Sequence, residues 1–122
     1  MDFNVKLNMK IKQNEICIAD LNPQIGTETC KTRPVLIVQT DLLNNVLHPS
    51  TTISPITTHI NSEAEILRVH IAKGVANMRE NSDIIIDQLR SIDNKRFLKK
   101  IGKLPQDLAE KVKENIMIVL DI

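Results

Sequence analysis

The chain is nearly devoid of aromatic side chains: Phe3 and Phe97 stand alone, and Trp and Tyr are absent. That disfavours single-strand binders built on stacking platforms and leaves the core to aliphatic residues. Neither sign of charge dominates. Lys and Arg number 16 against 15 Asp and Glu, a net charge of +1, so any polyanion site has to be a local patch. Two cysteines, Cys17 and Cys30, are too few for a disulfide framework. Cys17 lies in an apolar run, where a free thiol behaves as a small hydrophobe, and both are read as reduced thiols of a cytosolic protein. No segment reaches the ~18 apolar residues of a membrane span, and the N-terminus has no signal-like apolar stretch. The expected location is the cytoplasm, with no membrane partner.

Several catalytic signatures are missing as well. There is no Gly-x-x-x-x-Gly-Lys phosphate loop, no Gly-x-Ser-x-Gly elbow and no dinucleotide fingerprint. His48, His59 and His70 follow no zinc-ligand spacing, and neither cysteine has a close partner in sequence. No metal and no cofactor are expected.

What is present is a run of strand patterns closed by one helix. At 122 residues the chain reads as a single domain, 1–122, able to bury roughly two-thirds of its unfolded surface. Phe3, Val5, Leu7, Met9 and Ile11 alternate with polar neighbours, the period of a strand with one wet face. Residues 1–12 are thus an edge strand or an N-terminal extension, Met9 offering a second start. Gln13-Asn14 interrupts the pattern, Glu15 to Leu21 reads as a strand, and Asn22-Pro23 ends it. Residues 22–32 form a loop longer than the usual 4–6 residues, a length associated with function.

Arg33 to Gln39 is the second core strand, with Pro34 at its start, where a missing donor costs least. Asp41 to Asn45 reads as a cap and a helical turn. Thr51 to Thr58 is a strand whose Pro55 implies an edge or a bulge. Glu65 to Ile71 and Asp83 to Leu89 complete the strands. The segment from Asn94 to Lys103 carries five cations and no acid, fixed to the core by Phe97, Leu98 and Ile101. A C-terminal helix then starts near Pro105, with Leu108, Val112, Ile116, Val119 and Leu120 at helical spacing. The fold class is mainly β (α+β): a small, strongly bent antiparallel sheet or open barrel of five or six strands, with the helix packed against it.

Polar residues gather at the ends of these elements: Glu28, Thr32, Arg33, Ser54, Thr57, Thr58, Asp87, Gln88 and Arg90. An arginine offers a planar fork of donors that is charged at any working pH, suited to the extra charge of a pentavalent phosphorane. A carboxylate of raised pKa beside it can take a proton from a ribose 2′-hydroxyl. On its own, an arginine ahead of a strand is more often a surface ion-pair partner, and strand threonines are usually there for their β propensity.

The segments ADLNPQIGTETCKTRPVLIVQTD, HPSTTISPITT, LRVH, DIIIDQLRSIDNKR and IGKLP, in this order, resemble the MazF/PemK family of toxin endoribonucleases from about Gln13 onward. The resemblance implies an SH3-like barrel with a C-terminal helix, assembled as a homodimer. It implies metal-independent, sequence-specific cleavage of single-stranded RNA and silencing by a MazE-like antitoxin with a disordered acidic tail. Residue by residue, Arg33 and Thr57 match the family's catalytic pair and Glu28 its base, with Asp87 the alternative base. Gly26, Thr27, Thr32, Ser54, Thr58 and Gln88 match RNA-contacting positions. Cys30 stands where the family commonly has glycine, Thr27 where some members have histidine and Ile85 where some have arginine. Two alternatives accompany this reading: a toxin of the same fold that poisons DNA gyrase, and a cleavage-dead binding module.

Overall fold

The structure is a computed structural model and describes residues 9–21 and 31–122. The expected alternating strand before Met9 and most of the expected 22–32 loop lie outside the described residues. Seven strands form the sheet: β1 (Glu15–Asp20), β2 (Thr32–Ile37), β3 (Ser50–Thr57), β4 (Arg68–Ile71), β5 (Ser82–Ile85), β6 (Arg90–Asp93) and β7 (Phe97–Lys103). Among the described residues two α-helices accompany them, α1 (Asp41–Asn44) and α2 (Gln106–Leu120). Ladder order is β4-β5-β3-β2-β1-β7, with β6 also on β3, and the described pairings are antiparallel. The expected bent antiparallel sheet with a C-terminal helix is what the chain forms.

Alternation along the central strands feeds two cores. Ile16, Leu36, Ile56 and Ile84 point to one face, where Ala109 and Val112 of α2 cover them. Cys17, Val35, Ile37 and Ile53 point to the other, where Ile92 and Phe97 close over them. A buried aliphatic side chain of this kind contributes ~1.5–3 kcal/mol, so an interior almost free of aromatics is still well supplied. Leu120, expected on the helix's apolar stripe, is instead 53% exposed, as is Leu98 at 56%.

Capping and turns follow the side chains. Thr40, rather than Asp41, caps α1, its Oγ1 accepting the Leu42 N–H at 3.2 Å. Asp41 accepts from the Gln13 N–H and from Asn44, and these bonds hold its carboxyl below the ordinary value. Asn14 turns the chain into β1 at φ 73°, a left-handed position that asparagine tolerates.

Pro55 shapes the sheet locally. β3 is not an edge strand: β2 pairs with Ile53–Pro55 on one side, while β6 and β5 pair with its two halves on the other. Between β5 and β6 the 3-10 turn Ile86–Gln88 is inserted as a bulge, alongside Ser54 and Pro55. Thr52 makes its backbone bonds toward Val38 and Gln39, so by alternation position 55 faces the β5/β6 edge. The bulge stands where the missing donor of proline would break a ladder anyway. The expected continuous strand from Asp83 to Leu89 is interrupted for this reason.

Burial also decides the chemistry of Cys17. Its thiol is fully buried, and desolvation, with Glu15 adding to it, pushes its pKa up to about 11. Thiolate is the reactive form, so iodoacetamide at about pH 8 is expected to leave Cys17 unmodified in the native protein and to alkylate it once urea unfolds the chain. Peptide mass mapping reads this directly. Alkylation of native Cys17 at the rate of a free thiol would refute its placement.

Candidate active site

Arg33 is the second residue of β2 and is half-buried. The β2–β3 register runs Val35↔Pro55, Leu36↔Ser54, Ile37↔Ile53. Continued by two residues toward the end of the ladder, it sets Arg33 opposite Thr57. Side chains so placed lie ~5 Å apart at Cβ and on the same face. Continued in this register, the two strands would carry a guanidinium and a hydroxyl, 24 positions apart in the chain, on one face of the sheet.

Thr57 is 8% exposed, and its Oγ1 accepts the His59 N–H at 3.1 Å. A hydroxyl also carries one proton to give. Thr32 and Thr58 are exposed at the same end of the sheet. Asp87 is exposed and Gln88 half-buried on the bulge, which flanks the strand that ends in Thr57. Bulges beside sites commonly serve to re-aim side chains in this way.

Ser54 departs from the sequence reading. It is fully buried, shares a sheet face with Ile56, and its hydroxyl has no partner among the described residues. A side chain closed off from solvent cannot reach an RNA backbone. Gly26, Thr27, Glu28 and Cys30 lie outside the described residues, and Arg90 is half-buried with its Nη1 unpartnered among them. The described residues contain no group of three His, Cys, Asp or Glu able to hold a metal ion.

Two features were not legible in the sequence. A groove of about 530 Å³ runs from Thr57 and Thr58 over a floor that includes Ile18, Pro34 and Ile56, with Arg79, Lys99 and Lys100 along it. Lys99 stands opposite Ile18, and Ile18 opposite Pro34, so the strip crosses adjacent strands in one row. The cation-rich run from Asn94 to Lys103 was the one sequence signal for it. Second, Asp83 is 2% exposed and bonds Arg68, His70 and the Asn61 N–H. Burial alone would push its carboxyl up, but those three partners outweigh it and hold the group below the ordinary value of 3.8.

The comparison that decides kinship is with protein families: residues 12–120 match the model described as PemK-like, MazF-like toxin of type II toxin-antitoxin system. The chain belongs to this family. Among its relatives, endoribonuclease EndoA of Bacillus subtilis strain 168 is 32% identical over 112 residues, covering 92% of this chain and 96% of that protein. Among solved structures, MazF from Deinococcus radiodurans superposes with a TM-score of 0.78 at 18% identity, over 93% of this chain and 99% of its own. The Mycobacterium tuberculosis toxin MazF-mt6 gives 0.73 at 25% identity, over 88% and 97%. The PemK/MazF fold thus extends across nearly the whole chain, and Arg33 and Thr57 lie within it.

Proposed function

We propose that this PemK/MazF-family protein is a sequence-specific, metal-independent endoribonuclease that cleaves single-stranded RNA. The observation that carries the reading is the β2–β3 register, which, carried two residues past its last pair, sets Arg33 opposite Thr57, while Thr57 also borders the groove lined by Arg79, Lys99 and Lys100. The 2′-hydroxyl of one nucleotide attacks the adjacent phosphorus, the bond to the 5′-oxygen breaks, and the products end in a 2′,3′-cyclic phosphate and a free 5′-hydroxyl. Arg33 supports the charge that accumulates on the phosphorane, for which a preorganised charged donor is well suited. Thr57 donates a hydrogen bond to a phosphate oxygen, and Arg33 gives a proton to the departing 5′-oxygen and regains one from water. Glu28 takes the 2′-hydroxyl proton, with Asp87 as the alternative base, which is exposed on the bulge. Gly26, Thr27, Thr32, Thr58 and Gln88 contact the nucleotides, whereas buried Ser54 is left out of that set.

The protein acts in the cytoplasm as a homodimer and is held in check by a MazE-like antitoxin whose disordered acidic tail orders on binding, in keeping with a type II toxin-antitoxin family. Incubating purified protein with a long single-stranded RNA in EDTA tests the activity. Cuts confined to a short recurring sequence, with cyclic-phosphate and 5′-hydroxyl ends, are expected. RNA left intact at every pH, or accompanied by trapped gyrase–DNA complexes, would reject it.

A further inference from the structure

Asp83 faces Thr57 across the β3–β5 ladder. Its Oδ2 accepts the Asn61 N–H at 2.9 Å and Arg68 Nη1 at 3.2 Å, and its Oδ1 lies 3.0 Å from His70 Nδ1. The same Arg68 Nη1 donates to the His59 carbonyl at 2.9 Å. His59 in turn supplies the N–H that Thr57 Oγ1 accepts. Because β5 lies between β3 and β4 in the sheet, the segment joining β3 to β4 has to pass β5. One buried carboxylate, directly and through Arg68, fixes that segment at Asn61 and His59.

A buried ion pair is a poor device for stability, since a well-packed apolar replacement often does as well. What this arrangement supplies is direction. With one lone pair of Thr57 Oγ1 committed to the His59 N–H, the hydroxyl proton is left for another acceptor. Hydrogen-bonded networks of this kind lock the rotamers of the groups they support.

We propose that Asp83 is a positioning residue for the Thr57 hydroxyl, holding His59 through Arg68 and Asn61 so that the Thr57 proton is directed at an RNA phosphate oxygen. This rests on the role assigned to Thr57 above. Asp83 touches no substrate; it acts through a side chain that does.

The test is a double-mutant cycle on RNA cleavage in EDTA, with wild type, Asp83→Asn, Thr57→Val and the double variant. Misplacing a catalytic group by about an ångström costs up to ~10²-fold, so Asp83→Asn is expected to lower kcat by about 10- to 100-fold with KM changed less than about twofold. In the Thr57→Val background the same substitution is expected to cost less than about twofold, because residues acting as a unit are non-additive. Equal costs in both backgrounds, or full activity of Asp83→Asn beside a slow Thr57→Val, would overturn the proposal while leaving Thr57 its role. Full activity of Thr57→Val would overturn both. If Asp83→Asn does not fold, Arg68→Met breaks the link to His59 while leaving the carboxylate its Asn61 and His70 partners, and the same pattern of non-additivity is expected.

Discussion

Arg33→Ala is expected to retain the fold and lose cleavage by ~10²–10³-fold, the usual cost of removing one preorganised donor to a developing oxyanion. Retention of the fold follows from position. Arg33 is half-buried near the start of β2, while Val35, Leu36 and Ile37, which anchor that strand in both cores, are untouched. Its melting temperature should therefore stay close to that of the parent. The loss should fall on kcat, because the charge that Arg33 meets is fully developed only in the transition state. Arg33→Lys is expected to recover only part of the rate, since an ammonium keeps the charge but not the planar, two-pronged donor. Single-turnover cleavage of one short RNA in EDTA measures all three proteins. Equal rates for parent and Arg33→Ala would move the phosphate away from β2, toward Arg79 and Lys99 in the groove.

The legible parts of the fold are those whose side chains announce their neighbours. β1 and β2 are apolar on both faces, which demands cover on both sides, and α2 carries a helical apolar stripe. β6 and β7 carry weaker signals. β6 is four residues, Arg90–Asp93, with Ile92 its one buried side chain. β7 pairs with β1 through two register shifts, so its sequence loses the period-two alternation and reads as a basic segment. The site divides in the same way. Arg33 and Thr57 are marked by their motifs, but their juxtaposition is a property of the register, which one sequence alone does not set. Ser54 looks like Thr57 or Thr58 in a polar strand end, yet its pairing opposite Leu36, on the face it shares with Ile56, makes it an interior residue. Asp83 reads as the polar start of DIII; its consequence depends on pairing with His70, 13 positions earlier.

Gly102→Val is expected to destabilise the protein by about 3 kcal/mol, the upper part of the overpacking range, because the group it meets is backbone rather than a yielding side chain. Gly102 lies in β7 opposite Ile16. A Cβ there would sit 2.8 Å from the Ala76 carbonyl carbon and closer still to its oxygen, both well inside contact. Ala76 cannot easily retreat. It belongs to the 3-10 turn Val75–Asn77 at φ 53°, and the next residue, Asn77, is bonded through its Nδ2 to the Ile101 carbonyl at 2.9 Å. For a chain of this size the expected fall in melting temperature is on the order of 10–15 °C. Gly74→Ala provides the contrast: with nothing within 4 Å of its Cβ, it carries only the backbone strain of φ 92°, a cost of ~1 kcal/mol. The same turn leads into Met78 and Arg79, which border the groove together with Lys99. Gly102→Val should thus also weaken RNA binding at temperatures where the protein is still folded, raising KM more than it lowers kcat, whereas Gly74→Ala should leave both near the parent values. A Gly102→Val protein that melts with the parent would show that the Ala76 turn does not rest on β7 and would remove the groove's wall.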